Sequence, residues 1–338
     1  MTPHDALRAT LTDHPPRPVP QTIYEGLLPP GAEAIEGLGL ISSCEPYVRE
    51  YHEVEMRSQT LPDGSLETTW ETPVGTLTKR SRPEGGYGSQ YTQEFPVKRP
   101  DDYAVLEHMI RHTSHRPAPE QFVAAERAMG DRGVVYAWID RTPFQRLWIE
   151  WTGIERLSLD LYDCPAPVEA VLVAMFDQSL AVARLLAESP AEFIWLPDNL
   201  TGVVAGPPTF RRYLAPYYEQ VCAILHAAGK VPLSHMDGRL RCVVDEVAQT
   251  DLRVIEAFTP PPDGDLPLGE AFEAWQGKAI WINFPSSVHL STPERVRQVT
   301  RELVAEAEGR GLVISVTENL PAHVGASSLR AIAEALRE

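Results

Sequence analysis

Short apolar runs and longer amphipathic stretches alternate along most of this chain. From about residue 130, the apolar runs are rich in β-branched residues and end in Gly, Pro, Asp or Asn. These runs predict strands at residues 133–140, 192–196, 231–235, 252–258, 279–284 and 311–316. Strands that alternate with helices at this spacing indicate a parallel sheet covered by helices.

The amphipathic stretches predict the intervening helices, and several carry clear boundary signals. They cover residues 165–187, 207–228, 239–248, 268–276, 292–308 and 327–336. Ser291-Thr292-Pro293-Glu294 places a capping hydroxyl before a proline in a first helical turn. Gly229 follows another helix, where a left-handed cap is common.

Six strand–helix units are too few to close a barrel, so two further strands must come from the first half of the chain. Strand patterns occur there at 49–55 and 66–70, a hairpin pattern at 75–79 with 90–97, and helical patterns at 100–112 and 119–129. The sequence therefore predicts an α/β protein, a (β/α)8 TIM barrel with an N-terminal β-rich extension or insertion. Residues 1–130 would hold this extension and the early barrel strands, and residues 131–338 the remaining barrel and its active-site rim, in a single structural domain overall.

Composition and net charge limit the classes of molecule that the chain is expected to bind. The chain has 338 residues, 43% of them hydrophobic, and a formal net charge of −17 from 30 basic and 47 acidic residues. Since phosphate contacts require a basic face, this charge argues against nucleic acid. No apolar run in the sequence approaches the ~18 residues of a membrane span. With no signal-peptide pattern and four scattered cysteines, it predicts a cytoplasmic protein with reduced thiols.

Val231–His235 is followed by Met236-Asp237-Gly238, which makes this the most informative stretch for chemistry. Side chains two apart on a strand point to the same face, so His235 and Asp237 would project together. The carboxyl ends of barrel strands are where catalytic groups gather. A glycine-rich segment, Gly85-Gly86-Tyr87-Gly88, does not sit between a strand and a helix, so we interpret it as a loop and not a phosphate cradle.

Several blocks, taken in their order along the chain, resemble the uroporphyrinogen decarboxylase superfamily. The blocks are Glu71-Thr72-Pro73-Val74-Gly75-Thr76-Leu77, Asp198-Asn199-Leu200, Ala215-Pro216-Tyr217-Tyr218, His235-Met236-Asp237-Gly238, Val254-Ile255-Glu256 and residues 311–321. This superfamily of (β/α)8 barrels includes porphyrinogen decarboxylases and zinc-dependent methyltransferases that serve corrinoid proteins, thiols or aryl ethers. The chain lacks the arginine-rich N-terminal strand of the decarboxylases, so the resemblance favours the methyltransferase side.

The resemblance also implies a metal site, but with altered ligands. The methyltransferases use one His and two Cys, and here the cysteine positions correspond to Asp237 and Glu318. His235, Asp237 and Glu318 would then hold a divalent metal from the fifth and eighth strands. Zinc is the first candidate, and carboxylate ligands make manganese or iron plausible as well. The alternatives left open are a metal-free polar site, in which these groups act as acid and base, and a purely structural role.

Other polar residues at strand ends are candidates for the same rim. Asp198 and Asn199 follow one strand, although Asp198 is also placed to cap a helix. Glu256 lies inside a predicted buried strand, which favours a catalytic role because a buried carboxylate is costly unless paired. Asp140 and Arg141 end another strand, where Arg141 would bind a substrate anion or a neighbouring acid.

The loops after the last two strands add two histidines. His289 and His323 are candidates for substrate binding, against the alternative that each is an ordinary surface residue. The leading hypothesis is a methyltransferase with His235, Asp237 and Glu256 as catalytic groups, moving a methyl group between a small substrate and a thiol or a corrinoid on a partner protein. A decarboxylase of a small organic acid is the alternative, and a non-catalytic ligand-binding barrel is the third. Barrels of this kind often pair, which makes a homodimer one candidate assembly.

Overall fold

A closed barrel of eight parallel strands forms the larger part of the described chain. The computed structural model describes residues 1–12, 18–83 and 90–338. The barrel strands are β1 (Gln21–Tyr24), β2 (Leu38–Ser43), β9 (Gly133–Trp138), β10 (Phe193–Leu196), β11 (Val231–His235), β12 (Val254–Phe258), β13 (Ala279–Asn283) and β14 (Leu312–Val316). They follow one another around the barrel in chain order, and β1 closes it against β14. This confirms the (β/α)8 fold and makes β11 the fifth barrel strand.

Helices alternate with the later barrel strands at positions close to the predicted ones, and further α-helices lie in the first half of the described chain. They are α1 (Pro3–Leu11), α2 (Asp102–Arg111), α3 (Pro119–Met129), α4 (Pro143–Arg146), α5 (Ile154–Asp163), α6 (Pro165–Glu188), α7 (Pro207–Thr209), α8 (Ala215–Ala227), α9 (Val244–Ala248), α10 (Leu268–Ala274), α11 (Ser286–His289), α12 (Pro293–Ala307) and α13 (Gly325–Arg337). Thr292 caps α12 by accepting from the Arg295 amide, and Gly229 follows α8 with φ of +71°. Both predicted boundary signals are confirmed.

The chain folds into two compact units. Unit 1 contains residues 1–46, 118–139 and 186–338, and unit 2 contains residues 47–117 and 140–185. The barrel strands belong to unit 1. The β-rich part follows β2 in the chain, so it is the insertion that the sequence prediction allowed for, while the predicted boundary near residue 130 stays a prediction.

Unit 2 is built on antiparallel strands. β3 (Tyr47–Tyr51) pairs with β8 (Thr113–Pro117). A four-stranded sheet contains β4 (Glu55–Thr60), β5 (Leu66–Thr72), β6 (Gly75–Pro83) and β7 (Gln90–Glu94) in that order. The patterns at 49–55 and 66–70 are therefore strands, as predicted, but they lie outside the barrel. The predicted glycine-rich loop falls on residues 84–89, outside the described residues.

One helix among the described residues, α6, is long and apolar enough to cross a membrane by length and composition. It has 24 residues and a window of mean hydropathy 1.6, half of which is buried. Charged residues, among them Glu169, Asp177 and Arg184, interrupt α6, so it is not an uninterrupted apolar run of the kind that the sequence analysis sought. Core helices of globular proteins meet the same criteria, so α6 alone is weak evidence for a membrane span.

The amino-terminal end of the barrel is filled by α1. Leu7 and Leu11 pack in one cluster with Phe193, Val231 and Val313. Since Phe193 and Val231 begin their strands, α1 lies at the end of the barrel opposite the strand termini that carry polar groups. Because α1 fills this end, inward-facing polar side chains lie at the other end of the barrel, where the strands have their carboxyl termini.

Because Leu7 is fully buried in that cluster, we expect Leu7→Ala to lower the free energy of unfolding by about 2–5 kcal/mol. Urea unfolding followed by tryptophan fluorescence measures this loss. Leu290→Ala is the matched control, since Leu290 is 62% exposed, and we expect a change within about 0.5 kcal/mol. Equal losses in the two variants would contradict the assigned packing of α1.

Candidate functional site

Glu256 is the centre of a hydrogen-bonded cluster inside the barrel. Its side chain is fully buried, and its carboxylate accepts three hydrogen bonds from other strands. The Tyr24 hydroxyl donates to Oε1 at 2.7 Å, while Trp195 Nε1 and His235 Nδ1 each donate to Oε2 at 2.8 Å. These bonds offset the cost of burying a charged group. We call Tyr24, Trp195, His235, Asp237 and Glu256 the Glu256 cluster.

An irregularity in β12 sets the direction of the Glu256 side chain. The pairing of β12 with β13 shifts register between Glu256 and Phe258. Ala257, between them, has φ of +55°, a left-handed conformation that non-glycine residues rarely adopt. Bulges of this kind redirect side chains and are common beside active sites. Backbone strain is therefore located next to the residue that holds the cluster together.

His235 lies between two carboxylates. Its Nδ1 donates to the buried Glu256, and its Nε2 lies 3.4 Å from Oδ2 of Asp237. The Asp237 side chain is 33% exposed, and Asn199 Nδ2 donates to the same Oδ2 at 3.2 Å. The separation of 3.4 Å is longer than an ordinary N–H···O hydrogen bond. The imidazole is thus held less tightly at Nε2 than at Nδ1, and Nε2 faces the partly exposed carboxylate of Asp237.

The electrostatics favour a protonated His235. Burial alone would lower the pKa of His235, but Glu256 and Asp237 outweigh burial and raise it to about 10. Burial would likewise raise the pKa of Asp237, yet its bonds with His235 and Asn199 bring that pKa below the usual value. At neutral pH the site therefore holds an imidazolium between carboxylates.

Aromatic side chains surround the cluster. The rings of Tyr136 and Trp195 lie 4.9 Å apart between centroids, and Trp195 meets His235 edge-on at 5.7 Å. Burial, assisted by the charge of Glu256, raises the pKa values of Tyr24 and Tyr136 well above 10. Both phenols therefore stay neutral, and they act as hydrogen-bond donors and apolar walls.

Three polar atoms in the adjoining strands are buried and have no hydrogen-bond partner among the described residues. They are Thr22 Oγ1, Trp281 Nε1 and Ser315 Oγ, from β1, β13 and β14. Thr22 and Ser315 are paired in the barrel register, and Trp281 pairs with Glu256. Buried polar groups normally have a partner, so these atoms are suited to bind water or a polar substrate.

The predicted metal triad does not assemble in the barrel. Glu318 is exposed and accepts hydrogen bonds from Asn283 and Ser286, and it does not join His235 and Asp237 within the 4.8 Å that a shared ion requires. The residues present therefore do not fit the three-ligand metal site expected from the resemblance. Among the described residues, the group that meets this distance is Glu53, His108 and His112, so the chain does contain a His/Glu cluster able to hold a divalent metal.

The structure separates the two adjacent candidates Asp198 and Asn199. Asn199 joins the Glu256 cluster through Asp237 and has φ of +51°. Asp198 is fully buried and accepts from Tyr218 of α8 at 2.7 Å and from Ser234 at 3.1 Å. Because Ser234 alternates with the inward-facing His235, Asp198 lies between the strands and α8. The role of Asp198 in lining the pocket stays a prediction, while α7 begins only at Pro207, too far along the chain for Asp198 to cap it.

Asp140 and Arg141 are bound in an ion-pair network of unit 2. Asp140 pairs with Arg49 at 2.8 Å and with Arg146 at 2.9 Å. Burial would raise the pKa of Asp140, but these two guanidinium groups lower it below the usual value. Arg141 pairs with Glu150 at 2.8 Å. The ion-pair alternative is thus observed for Arg141, while substrate binding by either residue remains a prediction.

The two loop histidines differ in burial. His289 is buried, its Nδ1 lies 2.6 Å from the Ser328 hydroxyl of α13, and burial lowers its pKa to about 4. It is therefore neutral, and it is not the surface residue of the alternative interpretation. His323 is exposed in the turn before α13. Neither contact pattern tests a substrate role.

Tyr24 is the member of the cluster that the sequence analysis missed. It ends a four-residue strand, Gln21–Tyr24, that has no distinct apolar alternation. Polar residues at the ends of the later strands drew attention to His235, Asp237 and Glu256. A tyrosine four residues after Pro20 carried no comparable signal, and only the closure of β1 against β14 places its hydroxyl on Glu256.

A closed parallel barrel with a polar, strained cluster toward the carboxyl ends of its strands has the architecture of TIM-barrel enzymes. The chain belongs to the uroporphyrinogen decarboxylase family, whose sequence model matches residues 150–338, more than half of the chain. This confirms the resemblance drawn from the sequence. A search of curated proteins gave no match.

One solved structure agrees with the fold. A methyltransferase from Methanosarcina mazei is 10% identical, with a TM-score of 0.55 over 76% of this chain and 74% of that one. At this identity the likeness is one of fold. A B12-independent methionine synthase from Shewanella sp. W3-18-1, solved in complex with selenomethionine, is 10% identical, with a TM-score of 0.41 over 86% of this chain and 77% of that one.

Because Glu256 and Asp237 both stabilise the imidazolium, we expect His235 to stay protonated up to about pH 9 and to titrate near pH 10. Long-range 15N–1H NMR of the imidazole rings measures this directly. The signal is assigned by its loss in His235→Gln, with His226→Gln, on the exposed side of α8, as the control. Titration of His235 near its ordinary pKa of about 6.5 would contradict the arrangement of charges.

Proposed function

We propose that this chain is an enzyme that transfers a methyl group from a small substrate to a thiol, or to a corrinoid carried by a partner protein, with His235 as the general acid. The observation that carries the proposal is the imidazole of His235 held between the carboxyl groups of Glu256 and Asp237. Breaking a bond between a methyl group and an oxygen, nitrogen or sulfur leaves an electron pair on that atom. A proton supplied there makes it a better leaving group.

The proposed step moves one methyl group and one proton. The sulfur of the acceptor thiolate forms a bond to the methyl carbon, the bond from that carbon to the substrate heteroatom breaks, and the heteroatom keeps the electron pair. His235 Nε2 gives its proton to this atom. The acceptor thiol has already lost its own proton to solvent, and solvent reprotonates His235 past the partly exposed Asp237.

The other residues have supporting roles in this proposal. Glu256 fixes the ring of His235 through Nδ1 and keeps it charged, so it acts as a positioning residue. Thr22, Trp281 and Ser315 offer partner-free polar atoms for the substrate, and Tyr136 and Trp195 supply apolar walls. The predicted substrate-binding roles of Asn199, His289 and His323, and of Asp140 and Arg141 in unit 2, remain proposals.

Decarboxylation of a small organic acid is the second candidate. The chain belongs to a family named for such a reaction, and the same imidazolium is placed to protonate the carbon that loses CO2. Methyl transfer requires an acceptor, whereas decarboxylation does not. This difference separates the two reactions experimentally.

The decisive assay supplies both acceptors and several donor classes. The protein is incubated with 2-mercaptoethanol or free reduced cobalamin, and with a methoxyphenol, a methylamine or a methyl thioether. We expect methylated acceptor, measured by mass spectrometry or cobalamin absorbance. Release of CO2 from small aromatic or cyclic acids, with no methylated acceptor, would replace the proposal by the decarboxylase. Binding of metabolites without turnover would favour the non-catalytic alternative.

With an active substrate, we expect His235→Gln to lower kcat by about 10²–10⁴, the usual contribution of a general acid. His226→Gln, the control, should leave kcat unchanged. Glu256→Gln should lower the pKa of His235 by about 1–3 units, because it removes a buried negative charge at 2.8 Å. The alkaline limb of the pH–rate profile should move by the same amount. An unmoved limb would show that His235 is not the acid.

A further inference from the structure

Glu53, His108 and His112 form a second cluster of possible metal ligands, entirely within unit 2. The ligand atoms that they offer all lie within 4.8 Å of one another. His108 and His112 are four residues apart, at the end of α2, so one helical face carries both imidazoles. Glu53 comes from the turn between β3 and β4. We call these residues the Glu53 site.

The distances in the Glu53 site suit a shared cation better than direct hydrogen bonds. Oε2 of Glu53 lies 3.4 Å from Nε2 of His112 and 3.7 Å from Nε2 of His108. Both values exceed the usual 2.7–3.2 Å of an N–H···O bond. Two ligands bound at about 2.0–2.2 Å around a tetrahedral ion are separated by about 3.3–3.6 Å. One carboxylate oxygen therefore faces both ring nitrogens at nearly the spacing of ligands around one ion.

The hydrogen bonds of the imidazoles leave the correct nitrogen atoms for a metal. Nδ1 of His112 donates to the carbonyl of His108 at 2.8 Å, which fixes the tautomer with a lone pair on Nε2. Metal-binding histidines are commonly oriented by such a bond. Nε2 of His108 is buried and has no hydrogen-bond partner among the described residues. The two rings stack with centroids 3.8 Å apart and planes inclined by 21°.

The backbone holds the carboxylate in place. Glu53 has φ of +56°, a conformation that costs free energy for a residue with a side chain. The adjacent amide of His52 donates to the carbonyl of His112 at 2.8 Å, so the turn is bonded directly to the end of α2. Opening the turn would separate Glu53 from both histidines. A bound ion would accordingly join this turn to the helix.

We propose that Glu53, His108 and His112 bind a divalent transition metal, with zinc as the first expectation. Two imidazoles and one carboxylate are a ligand set that zinc commonly has in proteins. Side-chain exposures of 59% for Glu53 and 38% for His112 leave room for water or a ligand anion as the fourth partner. The proposal does not rest on the proposed function, because no member of the Glu256 cluster takes part.

The test is a metal titration of the full chain. The protein is stripped with a chelator and titrated with Zn²⁺ against a chromogenic competitor, and Co²⁺ is used as a probe whose visible absorption reports four-coordinate geometry. We expect one equivalent to bind. His112→Ala and His108→Ala should each weaken binding more than about 100-fold, since even groups that only orient a ligand contribute 10- to 100-fold. Glu53→Gln should weaken binding as well.

Two control variants distinguish metal binding at the Glu53 site from binding elsewhere in the chain. His52→Ala removes a neighbouring imidazole that contacts Ser114 and should leave the affinity unchanged. His235→Gln removes the imidazole of the Glu256 cluster and should also leave it unchanged. Loss of binding in His235→Gln with retention in His112→Ala would overturn the proposal, as would a wild-type chain that binds no Zn²⁺. Circular dichroism of each variant verifies that it is folded.

Discussion

The buried carboxylate of Glu256 is the group on which the arrangement of the barrel site depends. A charged side chain without solvent contact is strongly destabilising unless its environment supplies donors. Here the donors come from β1, β10 and β11, and β1 is far from the other two strands in sequence. Only the closed barrel brings them to one point. The fold and the site are therefore coupled, since loss of one donor leaves a buried acceptor only partly satisfied.

The same carboxylate determines what His235 is able to do. A single carboxylate beside an imidazole gives a common acid–base pair, and a second one on the other nitrogen stabilises the cation further. The two acids are not equivalent, because Glu256 is buried on the Nδ1 side and Asp237 is partly exposed on the Nε2 side. In the proposed mechanism, Glu256 stabilises the charge of His235 on the inner side, and proton exchange takes place on the outer side. Such a division between a positioning group and a reacting group is typical of catalytic sites.

The sequence predicted the later half of the barrel well because its strands are apolar, buried on both faces and bounded by glycine and proline. His235, Asp237 and Glu256 could be picked out because each is a polar residue at or near the end of such a strand. Tyr24 could not be picked out, since β1 is only four residues long and is recognised as a strand only by its pairing with β14.

Glu318 was wrongly predicted as a metal ligand because alignment with a family pattern gives the order of residues along the chain and not the distance between them. Hydrogen bonds to Asn283 and Ser286 hold it at the end of β13. The Glu53 site escaped notice for a similar reason, as a turn and a helix 50 residues apart share no local pattern.

Replacement of thiolates by carboxylates bears directly on whether the barrel holds a metal or a proton. In the methyltransferases that the sequence resembles, a thiolate follows the histidine at the position of Asp237. A metal at His235 must displace the proton from Nε2, and binding is weakened by the affinity of that proton. Because Glu256 and Asp237 raise the pKa of His235 above its ordinary value, a proton competes with a metal for this nitrogen at neutral pH. The carboxylates of Glu256 and Asp237 would attract a metal ion, but they stabilise the proton on His235 Nε2 in the same way. With Glu318 out of reach as a third ligand, this competition supports the proposed role of His235 as a general acid.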